Sequence, residues 1–458
     1  MSAPVVMKFG GSSVATAERL RHVAELVRAQ GSPEILVVLS ALGGVTDALF
    51  ACGRLAATRE QAASLTQLKE LMERHRDVGR ELFGPNLPRK VEAFIDASEK
   101  ELSEILCGAS LLGALPERSL DLLVGRGELL SSLLLAAYLE VPWIDARVVL
   151  RTDSHFGQAR PLPDEIRSLA LRELLPKIEA GGICVTQGYI GADASGAPTT
   201  LGRGGSDFSA SLLGAALRAA EIQIWTDVEG VLTCDPRIVP EAQPVEQLGY
   251  DEAAELAAFG AKVLHPATIL PAVELDIPVT VRNSLLPDGR YTVISRSGAS
   301  GRPVTALASR GPVSVLTVKS ARMLGGSGFL ARIFEVFGRQ GVSVDLVSTS
   351  EVSVSITVEA NAPLEDLARE LSAFAEVRVE RERAVVALVG EQLRRTAGVA
   401  GMAFGALRDL NVEMISMGAN EINLSLVVRR EDAPEALRRL HRAFFGPESG
   451  LNSKRGAA

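Results

Sequence analysis

Four cysteines in 458 residues, Cys52, Cys107, Cys184 and Cys234, include no C-x-x-C pair. So scattered, they exclude a disulfide framework or a zinc site and fit a reducing compartment. Positive charge is also short: Lys+Arg 48 against Asp+Glu 56 leaves a net charge of −8, without the basic surplus of nucleic-acid binders. No uninterrupted apolar run approaches the roughly 20 residues that cross a bilayer. The chain enters an apolar stretch at Val5 with no signal-peptide pattern before it. A cytoplasmic protein without membrane or nucleic-acid partners is the expectation. What remains is ordinary: 47% apolar and 23% charged residues, as in a globular chain. The length suggests about three domains.

The most informative stretch is Leu201-Gly202-Arg203-Gly204-Gly205-Ser206-Asp207, which opens a helical pattern over 208–217. Glycines let backbone N–H groups approach an anion, and the helix start adds its positive dipole end. A second such turn, Lys8-Phe9-Gly10-Gly11-Ser12-Ser13, follows the apolar run Val5-Val6-Met7. Two anion cradles carrying a lysine, an arginine and an aspartate suggest phosphoryl transfer.

Up to about residue 295 the chain alternates short apolar runs with helical patterns, as a layered α/β domain does. Residues 35–39, 183–186 and 222–225 read as buried strands, and 15–30, 61–82 and 252–259 as helices. The small, polar segment 297–303 reads as a linker. Beyond it lies an internal repeat with a 70-residue offset: Gly328, Phe334, Phe337 and Val342 recur as Gly398, Phe404, Leu407 and Val412, and Glu351-Val352 as Glu421-Ile422. Such a repeat implies tandem small domains of one fold.

These strings resemble the aspartokinases, of the monofunctional lysine-sensitive kind in which an amino-acid-kinase domain precedes two ACT domains. The resemblance is carried by residues 6–14, 201–207, 225–231, 235–237, 259–266 and 343–354. It implies an α/β fold: a carbamate-kinase-like, three-layer αβα sandwich over 1–296. A regulatory region over 304–458 would follow, with βαββαβ ACT domains at about 313–383 and about 384–447, the second completed by a strand near 304–309. It also implies transfer of the ATP γ-phosphoryl group to the β-carboxylate of L-aspartate, the reaction that opens lysine, threonine and methionine biosynthesis.

A carboxylate nucleophile of ordinary pKa about 3.9 is already ionised at neutral pH. Positioning and charge stabilisation then supply nearly all the catalysis. By resemblance Lys8 and Asp207 are the catalytic pair, and Lys8, Phe9, Gly10, Gly11, Thr226, Asp227, Arg237, Lys262 and Val263 bind ATP, which brings Mg²⁺ with it. Aspartate would meet Ser40, Thr46, Glu128, Arg203, Gly204, Gly205 and Ser206, with Arg203 on a carboxylate and Glu128 on the ammonium. Leu232 stands where the family usually has an aromatic, which leaves adenine stacking open, and Tyr189 where phenylalanine is common. His265 has no spaced second ligand and reads as structural, and Asp251, Glu252 and Glu255 read as a solvated helix face. No dedicated protein metal cage is expected.

The effector site implied by the resemblance comprises Met323, Gly328, Phe329, Leu330, Ser343, Val344, Asp345, Thr349, Ser350, Glu351 and Val352. Asp345 and Glu351 would receive an effector ammonium, and lysine is the expected effector. Gly325-Gly326-Ser327 departs from lysine-sensitive relatives and keeps threonine, or both, open. A homodimer through the ACT domains is expected, with a dimer of dimers as a further option. A fused homoserine dehydrogenase is not expected, since no G-x-G-x-x-G unit follows the second copy. Two alternatives stay open: another amino-acid kinase, for glutamate or acetylglutamate, and a catalytically silent ACT-type sensor.

Overall fold

The structure is a computed structural model that describes residues 3–260, 266–296, 302–324, 327–418 and 420–447. The chain forms two compact units, Met1–Val231 with Val263–Gly298, and Leu232–Lys262 with Ala299–Ala458.

The first unit carries β1 (Val5–Phe9), α1 (Ala17–Ala29), β2 (Ile35–Leu39), α2 (Val45–Ala57), α3 (Gln61–Phe83), α4 (Arg89–Leu112), α5 (Glu117–Val124) and α6 (Arg126–Leu139). It continues with α7 (Pro163–Leu169), α8 (Leu175–Gly181), β3 (Ile183–Gln187), β4 (Ile190–Ala192), β5 (Pro198–Thr200), α9 (Gly205–Leu217) and β6 (Glu221–Thr226). After β7 (Gln247–Gly249) and α10 (Tyr250–Ala258), which belong to the second unit, it ends with α11 (Pro266–Glu274), β8 (Val279–Asn283) and β9 (Thr292–Ser295).

Within this unit the strand order is β3-β2-β1-β6-β8-β9, parallel except for β9. The runs Val5-Val6-Met7 and 35–39 are apolar without alternation because both sheet faces are covered. Odd-numbered side chains of β1 and β2 (Met7, Phe9, Val37, Leu39) join the core built with α1 to α6. The pleat turns even-numbered ones, Lys8 among them, to the face where α9 packs. The helical stretch Glu117–Leu139 is apolar and long enough to cross a membrane by composition, yet 83% of its apolar window is buried inside the fold. It is a core helix.

The second unit adds β10 (Ala306–Lys319), α12 (Phe329–Arg339), β11 (Val347–Thr349), β12 (Ser353–Glu359), α13 (Leu364–Ser372), β13 (Glu376–Val389), α14 (Val399–Ala406), β14 (Met414–Met417), β15 (Asn423–Arg429) and α15 (Ala433–Phe445). Its sheet runs β11-β12-β10-β13-β15-β14. The repeat is visible in the backbone: Gly328 and Gly398 cap α12 and α14 at φ +82 and +89, and β12 and β15 start 70 residues apart. Only glycine reaches that left-handed conformation without strain. β10 and β13 serve both copies: residues 306–310 pair with 385–389 beside β15, and 313–319 pair with 376–383 beside β12. Two apolar cores result, one under α12 and α13, the other under α14 and α15.

Two readings of the sequence need correction. The division at 296 does not follow the packing, because Leu232–Lys262 clusters with the second unit. Cys234 and Val239 join the core of α15, Thr233 Oγ1 lies 2.9 Å from His441 Nε2, and Leu307 N–H donates to the Thr233 carbonyl at 2.8 Å. The acidic face of α10 is also not solvated throughout. Glu252 is buried and accepts from Gly249 N–H (2.8 Å) and the Thr305 hydroxyl (2.6 Å), and Glu255 accepts from Asn420 and Asn423. Burial raises the Glu252 pKa. Of the linker, only 302–303 are among the described residues, and His265 and Gly325-Gly326 lie outside them.

Candidate active site

From β1 the strand order runs outward to β2 and β3, then returns to β6 on the other side of β1. Such a reversal opens a crevice at the carboxyl ends of parallel strands. The first cradle and several expected site residues stand at these strand ends: β1 runs into Gly10-Gly11, β2 into Ser40 and β3 into Gly188, and β6 ends at Thr226, before Asp227.

Lys8 is 8% exposed, and its Nζ lies 2.6 Å from Asp207 Oδ1 in the first turn of α9. Gly204, at φ +73, caps that helix, and no side chain caps its first turn. Gly10 N–H donates to the Trp225 carbonyl (3.1 Å), which ties the cradle to β6, and a Cβ on Gly11 would stand 3.0 Å from the Ala41 carbonyl. Gly188 is tighter still: a Cβ would meet Ser206 Cα at 2.7 Å, so the end of β3 touches the second glycine turn. Tyr189, at φ +69, is held by its N–H to Ser209 Oγ (2.9 Å) and by Leu201 N–H on its carbonyl (2.9 Å). That non-glycine left-handed residue stores strain of order 1 kcal/mol. Burial pushes its hydroxyl, bonded to Thr200, up to about 12.

Glu128, in the first turn of α6, is 3% exposed, and its Oε2 has no hydrogen-bond partner. Burial pushes its pKa up to about 8, against opposing N–H bonds from Ala41 and its own backbone. An orphaned buried carboxylate is costly unless a cation pairs with it. Ser40 is held on both sides, its N–H on the Phe9 carbonyl (3.1 Å) and its carbonyl on the Ser131 hydroxyl (2.8 Å). Thr46 is half-buried in the first turn of α2, and Arg203 is exposed. Thr226 Oγ1 donates to Asp227 (3.1 Å). An open cleft of about 460 Å³ along α1, lined by Ser13, His22 and Ser284, includes none of Lys8, Glu128 or Asp207.

The structure therefore brings together Lys8, Phe9, Gly10, Gly11, Ser40, Glu128, Gly204, Gly205, Ser206, Asp207 and Thr226. Arg237 falls in the second unit, where it is bound to Asp235 (Nε 3.0 Å), as does Leu232, bridged to Pro244. Lys262 and Val263 lie outside the described residues. Sequence reasoning singled out neither Asp121, Ser131 nor Ser209, which act through buried long-range hydrogen bonds and sit in no recognisable string.

In the second unit the expected effector residues form two groups. The loop carrying Met323 lies beside the turn of Glu351 and Val352, since Ser320 N–H donates to the Val352 carbonyl (2.8 Å). Gly328, Phe329 and Leu330 open α12, and Thr349 and Ser350 end β11. Glu351 is exposed. Ser343, Val344 and Asp345 precede the opposite end of β11. Asp345 is not free there: its carboxylate is ion-paired with Arg310.

The geometry of the first unit is matched by relatives. The amino acid kinase family model matches residues 3–283, and the ACT domain model matches 316–362 and 386–444. The lysine-sensitive aspartokinase 3 of Escherichia coli is 40% identical over 97% of this chain and 100% of its own. The chloroplastic aspartokinase 3 of Arabidopsis thaliana is 39% identical over 96% and 81%. The solved structure of E. coli aspartokinase III with aspartate and ADP superposes with a TM-score of 0.83 at 39% identity, over 95% of this chain and 98% of that one. The structure of that enzyme with lysine and aspartate gives 0.79. A parallel sheet whose crevice holds two glycine cradles and a lysine–aspartate pair, followed by a tandem ACT repeat, thus has its relatives along the whole chain, which belongs to the aspartokinase family.

Proposed function

We propose that this chain transfers the γ-phosphoryl group of ATP to the β-carboxylate of L-aspartate, giving 4-phospho-L-aspartate and ADP. A carboxylate oxygen attacks the γ-phosphorus as the bond to the β,γ-bridging oxygen breaks. No proton moves, so the site needs charge placement and no general base. The carrying observation is the Lys8–Asp207 pair at 2.6 Å at the start of α9, which has no side-chain cap, with the buried Glu128, whose Oε2 has no partner, in the first turn of α6.

In this reading Lys8, steered by Asp207, follows the transferring group, and the Gly11 N–H meets a phosphate oxygen while Gly10, its N–H held by the Trp225 carbonyl, fixes the turn. Glu128 takes the substrate ammonium, Arg203 grips a carboxylate as a planar fork, and Ser40 and Thr46 orient the reacting group. Thr226 and Asp227 lie towards the ribose. Among the described residues no cluster of three His, Cys, Asp or Glu could hold a metal. The single carboxylate of Asp207 fits a magnesium ion held otherwise by phosphate oxygens and water. Bound there, the ion neutralises charge on the transferring phosphoryl group.

The ACT unit is proposed to take lysine, with Glu351 on an effector ammonium and the start of α12 after Gly328 on its carboxylate. Because Arg310 holds Asp345, an effector ammonium at Asp345 would have to share that carboxylate. A homodimer through the ACT copies would cover the exposed apolar side chains Leu330 and Phe334 of α12. The test is ATP-dependent hydroxamate formation in hydroxylamine, with aspartate or glutamate, and with or without lysine. Product from aspartate alone, suppressed by lysine, supports the reading. Product from glutamate, or none while ATP binds, would favour another acceptor or a silent sensor.

A further inference from the structure

The groups assigned to the substrate ammonium and to the carboxylate gripped by Arg203 come from two separate stretches of chain, the start of α6 and the Arg203 loop, and one buried residue links the frame of both. Asp121 on α5 is 2% exposed. Its Oδ2 accepts from Thr200 N–H at 2.9 Å and from Gly157 N–H at 2.9 Å. Its Oδ1 accepts from the Thr200 hydroxyl at 2.8 Å and from Gly157 N–H at 3.1 Å. All these partners are donors, as a carboxylate requires. Burial, opposed by those bonds, raises its pKa above the ordinary value.

Thr200 is the last residue of β5 and stands three positions before Arg203. The segment at Gly157 packs on the same loop: a Cβ on Gly202 would stand 3.3 Å from the Gly157 carbonyl, and Ala159 N–H donates to the Thr200 carbonyl at 2.9 Å. On the other side, Asp121 lies in the last turn of α5, where its carbonyl accepts from the C-cap Gly125 N–H at 3.0 Å, and α6 with Glu128 follows directly. The side chain thus ties the loop that grips a carboxylate to the end of α5, from which the helix that takes the ammonium continues.

We propose that Asp121 is a positioning residue that sets the placement of Arg203 against Glu128, and so the affinity of the site for aspartate. This rests on the reading of the site as an aspartate pocket. Asp121 touches neither substrate nor nucleotide, and its effect runs through Thr200. An amide in its place would turn an N–H₂ group towards at least one donor and loosen the loop without unpairing Lys8 from Asp207.

The test compares wild type with Asp121→Asn, Thr200→Val and Thr200→Ser in the full chain, measuring kcat and the KM values for aspartate and for ATP. Asp121→Asn is expected to raise the KM for aspartate by about tenfold, on the scale of a misplaced binding group, with the KM for ATP unchanged. Thr200→Val should shift the aspartate KM in the same direction and Thr200→Ser should restore it, a comparison that stands even where Asp121→Asn fails to fold. An aspartate KM that is unchanged in both Asp121→Asn and Thr200→Val, or that rises in step with the KM for ATP, would overturn the inference. A wild type inactive on aspartate would instead defeat the functional reading on which it rests.

Discussion

Glu128 yields the sharpest pH prediction. Its pKa, raised from 4.5 to about 8 by burial, leaves about nine-tenths of the empty enzyme protonated there at pH 7. Pairing with an ammonium requires the ionised form, so binding aspartate must expel a proton. Apparent affinity for aspartate should therefore fall about tenfold for each pH unit below 8 and level off above it. The direct assay is calorimetric titration with aspartate in buffers of different ionisation enthalpy. Close to one proton should be released per aspartate at pH 6 to 7 and less at pH 9, and none in Glu128→Gln, whose affinity should be weak and flat with pH. The same group acts on stability. An acid whose folded pKa is raised binds more protons folded than unfolded, so its effect destabilises the empty protein as pH climbs from 4.5 towards 8. Between pH 6 and 8 this amounts to about 2 kcal/mol, and Glu128→Gln should remove it from the pH dependence of the melting temperature. A wild type that binds aspartate with no proton release and a pH-independent affinity would refute the assignment of Glu128 to the ammonium.

Two further outcomes follow from the same geometry. Lys8→Ala should lower kcat by about 10² to 10³ in the folded protein, the scale of one preorganised charge-stabilising donor; near-normal turnover would remove Lys8 from the chemistry. Glu351→Ala, at an exposed position, should leave kcat and KM intact while relieving inhibition by lysine in a dose-response assay. Unchanged inhibition would exclude it from the effector site.

What the sequence made legible is local. Glycine turns beside a lysine or an aspartate announce an anion cradle because the backbone conformation is encoded within a few residues, and Lys8 and Asp207 do meet. The 70-residue repeat carried over to matching left-handed glycines at two helix starts. Strands 35–39 and 183–186 were readable as apolar runs, whereas α6 was not readable as a helix, since it is apolar nearly all round and buried nearly throughout. The acidic residues of α10 looked like a solvated face until Thr305, Asn420 and Asn423, more than fifty positions away along the chain, supplied their partners. Asp121 escaped for the same reason: its donors come from Gly157 and Thr200, and no spacing rule joins them. The pull of Leu232–Lys262 into the second unit is likewise a fact of packing, set by Cys234 and Val239 finding apolar partners on α15.

The central claim is that a carboxylate oxygen of aspartate attacks the γ-phosphorus of ATP. Aspartate carrying ¹⁸O in its β-carboxylate, incubated with the enzyme, ATP and hydroxylamine, tests it directly. Hydroxylamine cleaves the acyl phosphate at carbon, so the bridging oxygen leaves with phosphate. The account predicts inorganic phosphate bearing one ¹⁸O atom, read as an isotope shift in the ³¹P NMR spectrum, in amounts equal to the hydroxamate formed. Phosphate free of label would mean that water, or another acceptor, takes the phosphoryl group, and would contradict the account.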